Sequence, residues 1–141
     1  MITPDLIPDE GEAWLAAADA HDLDRIFLVA PSSTPERLAR TVEASRGFVY
    51  AASTMGVTGA RDVVSNAAPE LVRRVREISD IPVGVGLGVR SRAQAAEIAN
   101  FADGVIVGSA LVSALTDDGV AAVRSLTGEL AVGVREKVPA T

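Results

Sequence analysis

The chain holds 141 residues, of which 48% are hydrophobic and only 4% aromatic, with a formal net charge of −6. That length supplies one domain with a genuine core built on alanine, valine and leucine, and the acidic balance excludes a broad electrostatic surface for nucleic acid or anionic membrane. The absence of cysteine excludes disulfides and thiolate metal sites, and the single histidine, His21, excludes a histidine-based metal cluster.

In chain order, a strand-like run at residues 2–6 is followed by Asp9-Glu10-Gly11-Glu12, an acid-rich helix opening. Trp14, Leu15 and Ala18 give that helix an apolar face, with His21 and Asp22 as solvated residues at its end. A second strand is expected at 25–30. Thr34-Pro35-Glu36 then combines an N-cap with proline at the first helical position, and Leu38 and Val42 lie one turn apart. A third strand runs over 48–52 and leads into a glycine-containing loop from Ser53 to Asp62. Pro69-Glu70 opens the next helix, with Leu71, Val72, Val75 and Ile78 inward and Arg73, Arg74 and Arg76 on a solvated face. The fourth strand is expected at 81–86, and Ser91-Arg92-Ala93-Gln94 matches a capping box before Ala95, Ile98 and Ala99. Asp103 caps a turn before a fifth strand at 104–107. A short helical piece at 110–115 precedes a last helix carrying Val120, Val123, Leu126, Leu130 and Val134.

Strands without polar alternation that alternate with helices imply a parallel sheet with right-handed crossovers. Two architectures fit: an open doubly wound sheet, or part of a (β/α)8 barrel. A complete barrel needs about 250 residues, so this chain reads as a single unit, residues 1–141, supplying five of eight strands with the N-terminal strands absent. No signal peptide or membrane-length apolar run is visible, and a cytoplasmic location is expected.

Three segments suggest a ligand site: Gly56-Val57-Thr58-Gly59, Gly86-Leu87-Gly88 and Gly108-Ser109, each following an apolar run. Glycine at a strand tip lets main-chain N–H groups approach an anion, and a short helix beginning at such a tip adds further donors. Each segment also has a plain reading as turn or packing glycine; together they favour phosphate. Gly84-Val85-Gly86-Leu87-Gly88 does not match a dinucleotide fingerprint. The Tyr50 hydroxyl faces either a barrel mouth or a satisfied core position. Asp5 lies near a strand end without a second carboxylate to pair with.

At these residues the chain resembles the tryptophan synthase alpha subunit family, in its C-terminal part. The matching stretches include Pro4-Asp5-Leu6-Ile7-Pro8-Asp9-Glu10, Gly56-Val57-Thr58-Gly59-Ala60-Arg61 and Ala102-Asp103-Gly104-Val105-Ile106-Val107-Gly108-Ser109-Ala110. The resemblance implies an α/β fold, a partial (β/α)8 TIM barrel with about five parallel strands, numbers four to eight. It implies a lyase of tryptophan biosynthesis that reversibly cleaves indole-3-glycerol phosphate to indole and glyceraldehyde 3-phosphate. The alpha chain needs no cofactor; PLP belongs to its partner, the beta subunit. Thr58 and Gly59 would belong to a loop over the substrate, Gly88, Gly108 and Ser109 to the phosphate site, and Tyr50 and Leu87 to the indole side. Residues 5–8 and 32–35 would face the beta subunit. The family's two catalytic carboxylates lie upstream of every residue present, so the chain alone is expected to be inactive. The rival expectations are a non-catalytic phosphate-binding half-barrel that dimerises through open sheet edges and, more weakly, a different phosphate-binding barrel fragment.

Overall fold

The computed structural model describes residues 1–52, 67–86 and 88–136. Its elements are a 3-10 turn (Pro8–Glu10), α1 (Glu12–Ala20), β1 (Leu28–Val29), α2 (Pro35–Ala44), β2 (Val49–Ala52), α3 (Ala67–Arg76), β3 (Val83–Gly86), α4 (Arg92–Ala99), β4 (Gly104–Val105) and α5 (Ser109–Gly133). The strands form one sheet in the order β1-β2-β3-β4, and every pair is parallel. Strand order that never reverses is the order of a barrel sector; a doubly wound sheet turns back at a switch point. No helix among the described residues is long and apolar enough to cross a membrane.

Register sorts the strand residues into two faces. Val29 stands level with Ala51, Ala51 with Val85, and Val85 with Val105. This row meets the helices and joins the core with Leu38 and Val42 of α2, Leu71, Val72 and Val75 of α3, Ala95 and Ile98 of α4, and Leu130 of α5. Phe27, Val49, Val83 and Val85 have no exposed surface. Each such side chain contributes about 1.5–3 kcal/mol by leaving water. The opposite row is Leu28, Tyr50, Gly84 and Gly104.

Several local expectations change. The strand at 2–6 shrinks to one bridge, Ile2 to Ile26, held by Thr3 N–H to Ile26 O at 3.2 Å and Ile26 N–H to Met1 O at 2.9 Å. Val107 follows the period of Val105 and packs against the helix-side core. Ile78 is 50% exposed, since α3 ends two residues earlier at Arg76. Of the apolar side chains expected to face inward from the last helix only Leu130 is buried, with Leu126 packed against the core, and Val120 is 70% exposed.

Caps follow the sequence more closely. The Thr34 hydroxyl accepts from Arg37 N–H at 3.3 Å, with Pro35 in the first turn. The Ser91 hydroxyl accepts from Gln94 N–H at 3.3 Å, and Gln94 Oε1 accepts in return from Arg90 N–H at 2.8 Å. That return bond lands one residue earlier than in a standard capping box. The acid-rich start of α1 makes no cap: Gly11 is the N-cap without a side-chain bond, and Asp9 instead pairs with Arg40 of α2 at 2.8 Å. His21 closes α1, its N–H bonded to Ala17 O, and Asp22 follows with a φ of 50°. α5 breaks at Gly119, where φ is 75°, so a short helix over 109–118 precedes the longer one, as the spacing predicts.

Candidate functional site

Parallel strands deliver all their C-terminal ends to one edge. β3 and β4 are level at Val85 and Val105, and Ile106 N–H extends the ladder to Val85 O at 2.8 Å. Three residues further along each chain stand Gly88 and Gly108. Gly88 has a φ of 66°, a left-handed conformation that side chains rarely adopt. Gly108 is the N-cap of α5, and its carbonyl accepts from Leu111 N–H at 3.0 Å and Val112 N–H at 3.1 Å. A Cβ placed on either glycine would meet no atom of the described residues within 4 Å. Ser109 is exposed at the first position of α5. Among the described residues, the N–H groups of Ser109 and Ala110 have no main-chain acceptor. The edge therefore offers open space lined by main-chain donors at a helix start, a chemistry suited to an anion.

Tyr50 sits on the barrel-facing row, half-buried. Its Cα is level with Gly84, yet its ring lies against Gly86: a Cβ there would come within 2.7 Å of Cε2 and 2.8 Å of Cζ, and would overlap the hydroxyl. The side chain thus leans two residues toward the strand tips. Gly84 is covered likewise, by Phe48 Cε2 at 3.2 Å and Ile106 Cδ1 at 3.1 Å from a Cβ in that place. Alternate glycines on β3 make a trough that rings from β2 fill. The expected ligand residues Thr58, Gly59 and Leu87 lie outside the described residues.

No charged side chain is buried among the described residues, and no group of three acids or histidines there is placed to hold a metal. Asp5 is exposed. The displaced pKa values belong to surface ion pairs, among them Arg46 raised by its hydrogen bonds to Asp24 and Asp22. The hydrogen bond from Arg73 holds Glu70 below its ordinary value and raises the Arg73 guanidinium in turn. The hydrogen bond from Arg92 does the same to Glu136. Asp103 does more than cap a turn. It accepts from Val83 N–H at 2.9 Å and pairs with Arg76 at 3.1 Å, joining β3, β4 and α3 at the edge opposite the strand tips.

The arginines of α3 do not form one solvated face. Arg73 pairs with Glu70 at 2.6 Å and with Glu77. Arg74 is half-buried and donates to Pro31 O at 3.1 Å and Ser33 O at 2.5 Å. No local spacing in the sequence points to that contact, because its acceptors are main-chain carbonyls 43 and 41 residues away. Two grooves on the described surface lie away from the strand tips, one along α5 at Val120 and Arg124 and one between α2 and α3 at Val42 and Ile78.

A sequence profile for the family described as Tryptophan synthase alpha chain matches residues 1–136. The tryptophan synthase alpha chain of Mycobacterium avium (strain 104) is 78% identical over 141 residues, 100% of this chain and 52% of its own length. That of Mycobacterium tuberculosis (strain ATCC 25177 / H37Ra) is 80% identical over 135 residues, 96% of this chain and 50% of its own. Among solved structures, Mycobacterium tuberculosis tryptophan synthase in space group F222 superposes with a TM-score of 0.88 at 78% identity, over 96% of this chain and 51% of that one. A mutant tryptophan synthase alpha-subunit from Pyrococcus furiosus superposes with a TM-score of 0.77 at 29% identity, over 94% of this chain and 53% of that one. The chain spans about half the length of the curated relatives it matches.

Proposed function

Because this chain belongs to the tryptophan synthase alpha chain family, we propose that its residues form one unit, the phosphate-holding sector of a (β/α)8 barrel acting on indole-3-glycerol phosphate. The observation that carries this reading is the pair of glycine tips, Gly88 and Gly108, with open space above both and the start of α5 beside them. Main-chain N–H groups at Gly88, Gly108 and Ser109, with the Ser109 hydroxyl, hold the phosphate. Tyr50 and Leu87 line the indole side, and Thr58 and Gly59 lie over the substrate. A PLP-bearing beta chain docks at residues 5–8 and 32–35 and takes up the indole; the alpha reaction itself uses no cofactor.

In the cleavage, indole C3 gains a proton as its bond to the glycerol carbon breaks, and that carbon becomes an aldehyde as its hydroxyl loses one. The step asks for one carboxylic acid at C3 and one carboxylate at the indole N–H. No carboxylate is buried among the described residues. By resemblance the family's two catalytic carboxylates lie upstream of this stretch, so we assign the proton transfers to residues outside these 141 and read the chain alone as inactive.

The test joins these residues to the N-terminal half of the Mycobacterium tuberculosis relative and measures indole release. The chimaera turns over and the 141-residue chain alone does not. Gly108→Val in the chimaera removes an amide contact and fills its space. KM rises roughly ten- to hundredfold, the value of a hydrogen bond of about 1.5–3 kcal/mol to a charged group. Turnover by the chain alone, or a KM unmoved by Gly108→Val, refutes the reading.

A further inference from the structure

The turn after β1 closes on itself. Ala30 N–H donates to the Ser33 hydroxyl at 3.1 Å, Ser33 N–H donates to Ala30 O at 2.9 Å, and Pro31 has no N–H. The Thr34 hydroxyl is committed to the cap of α2. The carbonyls of Pro31 and Ser33 are left, and both go to Arg74 on α3. Two N–H arms of one rigid guanidinium fix the direction of the turn as well as its distance, which a single flexible ammonium does not. The other arginines of α3 are held by acids, Arg73 by Glu70 and Glu77 and Arg76 by Asp103. Ser32, Thr34 and Pro35 stand exposed on this clamped turn, while Pro31 and Ser33 are half-buried beneath it. The turn sits at the tip of β1, and β2 separates it from the glycine-tipped strand β3. That position puts it on the rim of the strand-tip edge, away from the phosphate donors.

We propose that Arg74 is a positioning residue that presets the 31–34 turn as a rigid docking element for the beta chain. The inference rests on the reading above that this chain works with such a partner. A turn already held in one shape loses little conformational freedom on docking, so the clamp appears as affinity.

The experiment titrates the beta chain of the Mycobacterium tuberculosis relative into the chimaera by calorimetry. Four forms are compared: the parent, Arg74→Met, Arg74→Lys, and Ile98→Val in the core beneath α4 as a control for lost stability. Arg74→Met is expected to weaken binding by about tenfold or more, with Arg74→Lys between it and the parent because one donor interaction survives. Ile98→Val stays within about twofold of the parent even where its unfolding midpoint falls as far. Equal affinity of Arg74→Met and parent, or an equal loss in Ile98→Val at matched stability, overturns the inference. Should Arg74→Met not fold, Arg74→Lys decides: parental affinity overturns the proposal and a weakened one supports it. A parent that does not bind the beta chain overturns the partner reading itself, and the role of Arg74 falls with it.

Discussion

Gly86 is glycine because of Tyr50. The ring occupies the space where any side chain on Gly86 would begin. Gly86→Ala forces the ring off its place, at a cost of about 1–3 kcal/mol for overpacking. Tyr50→Ala vacates the space, so the double variant Gly86→Ala/Tyr50→Ala loses less stability than the sum of the two single changes. Urea midpoints of the four forms read that coupling, and strict additivity contradicts the packing described. The glycines of this segment are plain in the sequence, but their separate duties are not. Gly84 and Gly86 admit rings from β2, whereas Gly88 adopts a φ of 66°. Register and dihedral angle decide between these duties, and a spacing of two residues encodes neither. Arg74 shows the same limit. Glu70, four residues before it, is a natural helical partner, yet Glu70 pairs with Arg73 and leaves Arg74 to the turn.

At the scale of elements, what depends on neighbours in the chain was readable and what depends on neighbours in space was not. Thr34 and Ser91 cap their helices through groups three residues away. The strand at 2–6 was overread, since its pairing reduces to one bridge with Ile26, a neighbour in space. The junction of α4 with α5 likewise rests on neighbours in space. Gly133 lies against the Arg92 main chain, where a Cβ would stand 3.1 Å from the carbonyl carbon and overlap its oxygen, and Arg92 pairs with Glu136 just beyond. The pair makes this junction sensitive to acid. The pKa of Glu136 is lowered from 4.5 in the folded chain, so its contribution is complete above that value and disappears as the pH falls through the lower, folded one. The gap in thermal midpoint between parent and Glu136→Gln is therefore open at neutral pH and closes as the pH falls below the ordinary carboxylate value. A gap that stays constant over that range excludes the pair as its source.

For the whole molecule, the sheet has two open edges and a barrel-facing side without a second layer among the described residues. Met1, Ile2, Val112, Leu115 and Val120 are also exposed, at 43% or more. Unpaired edges and exposed apolar side chains favour association. The isolated 141-residue chain is expected to show an average mass in sedimentation that climbs over about two decades of concentration, and to lose this in the chimaera. A monomer throughout the range contradicts the expectation. The parallel sheet was legible from alternation, because apolar runs separated by helices leave few topologies, while the choice of a barrel sector over a doubly wound sheet needed the family resemblance. The functional edge was half legible: glycines at strand tips marked it, while the trough under Tyr50 and the clamp from Arg74 arise only once strands and helices are side by side.

Strand order that copies chain order bears on how the protein is made. Each strand settles beside the one made just before it, so no edge among these four waits for a distant segment to emerge. The tips at Gly88 and Gly108 come together only when β4 adds to a sheet whose other three strands are already laid down.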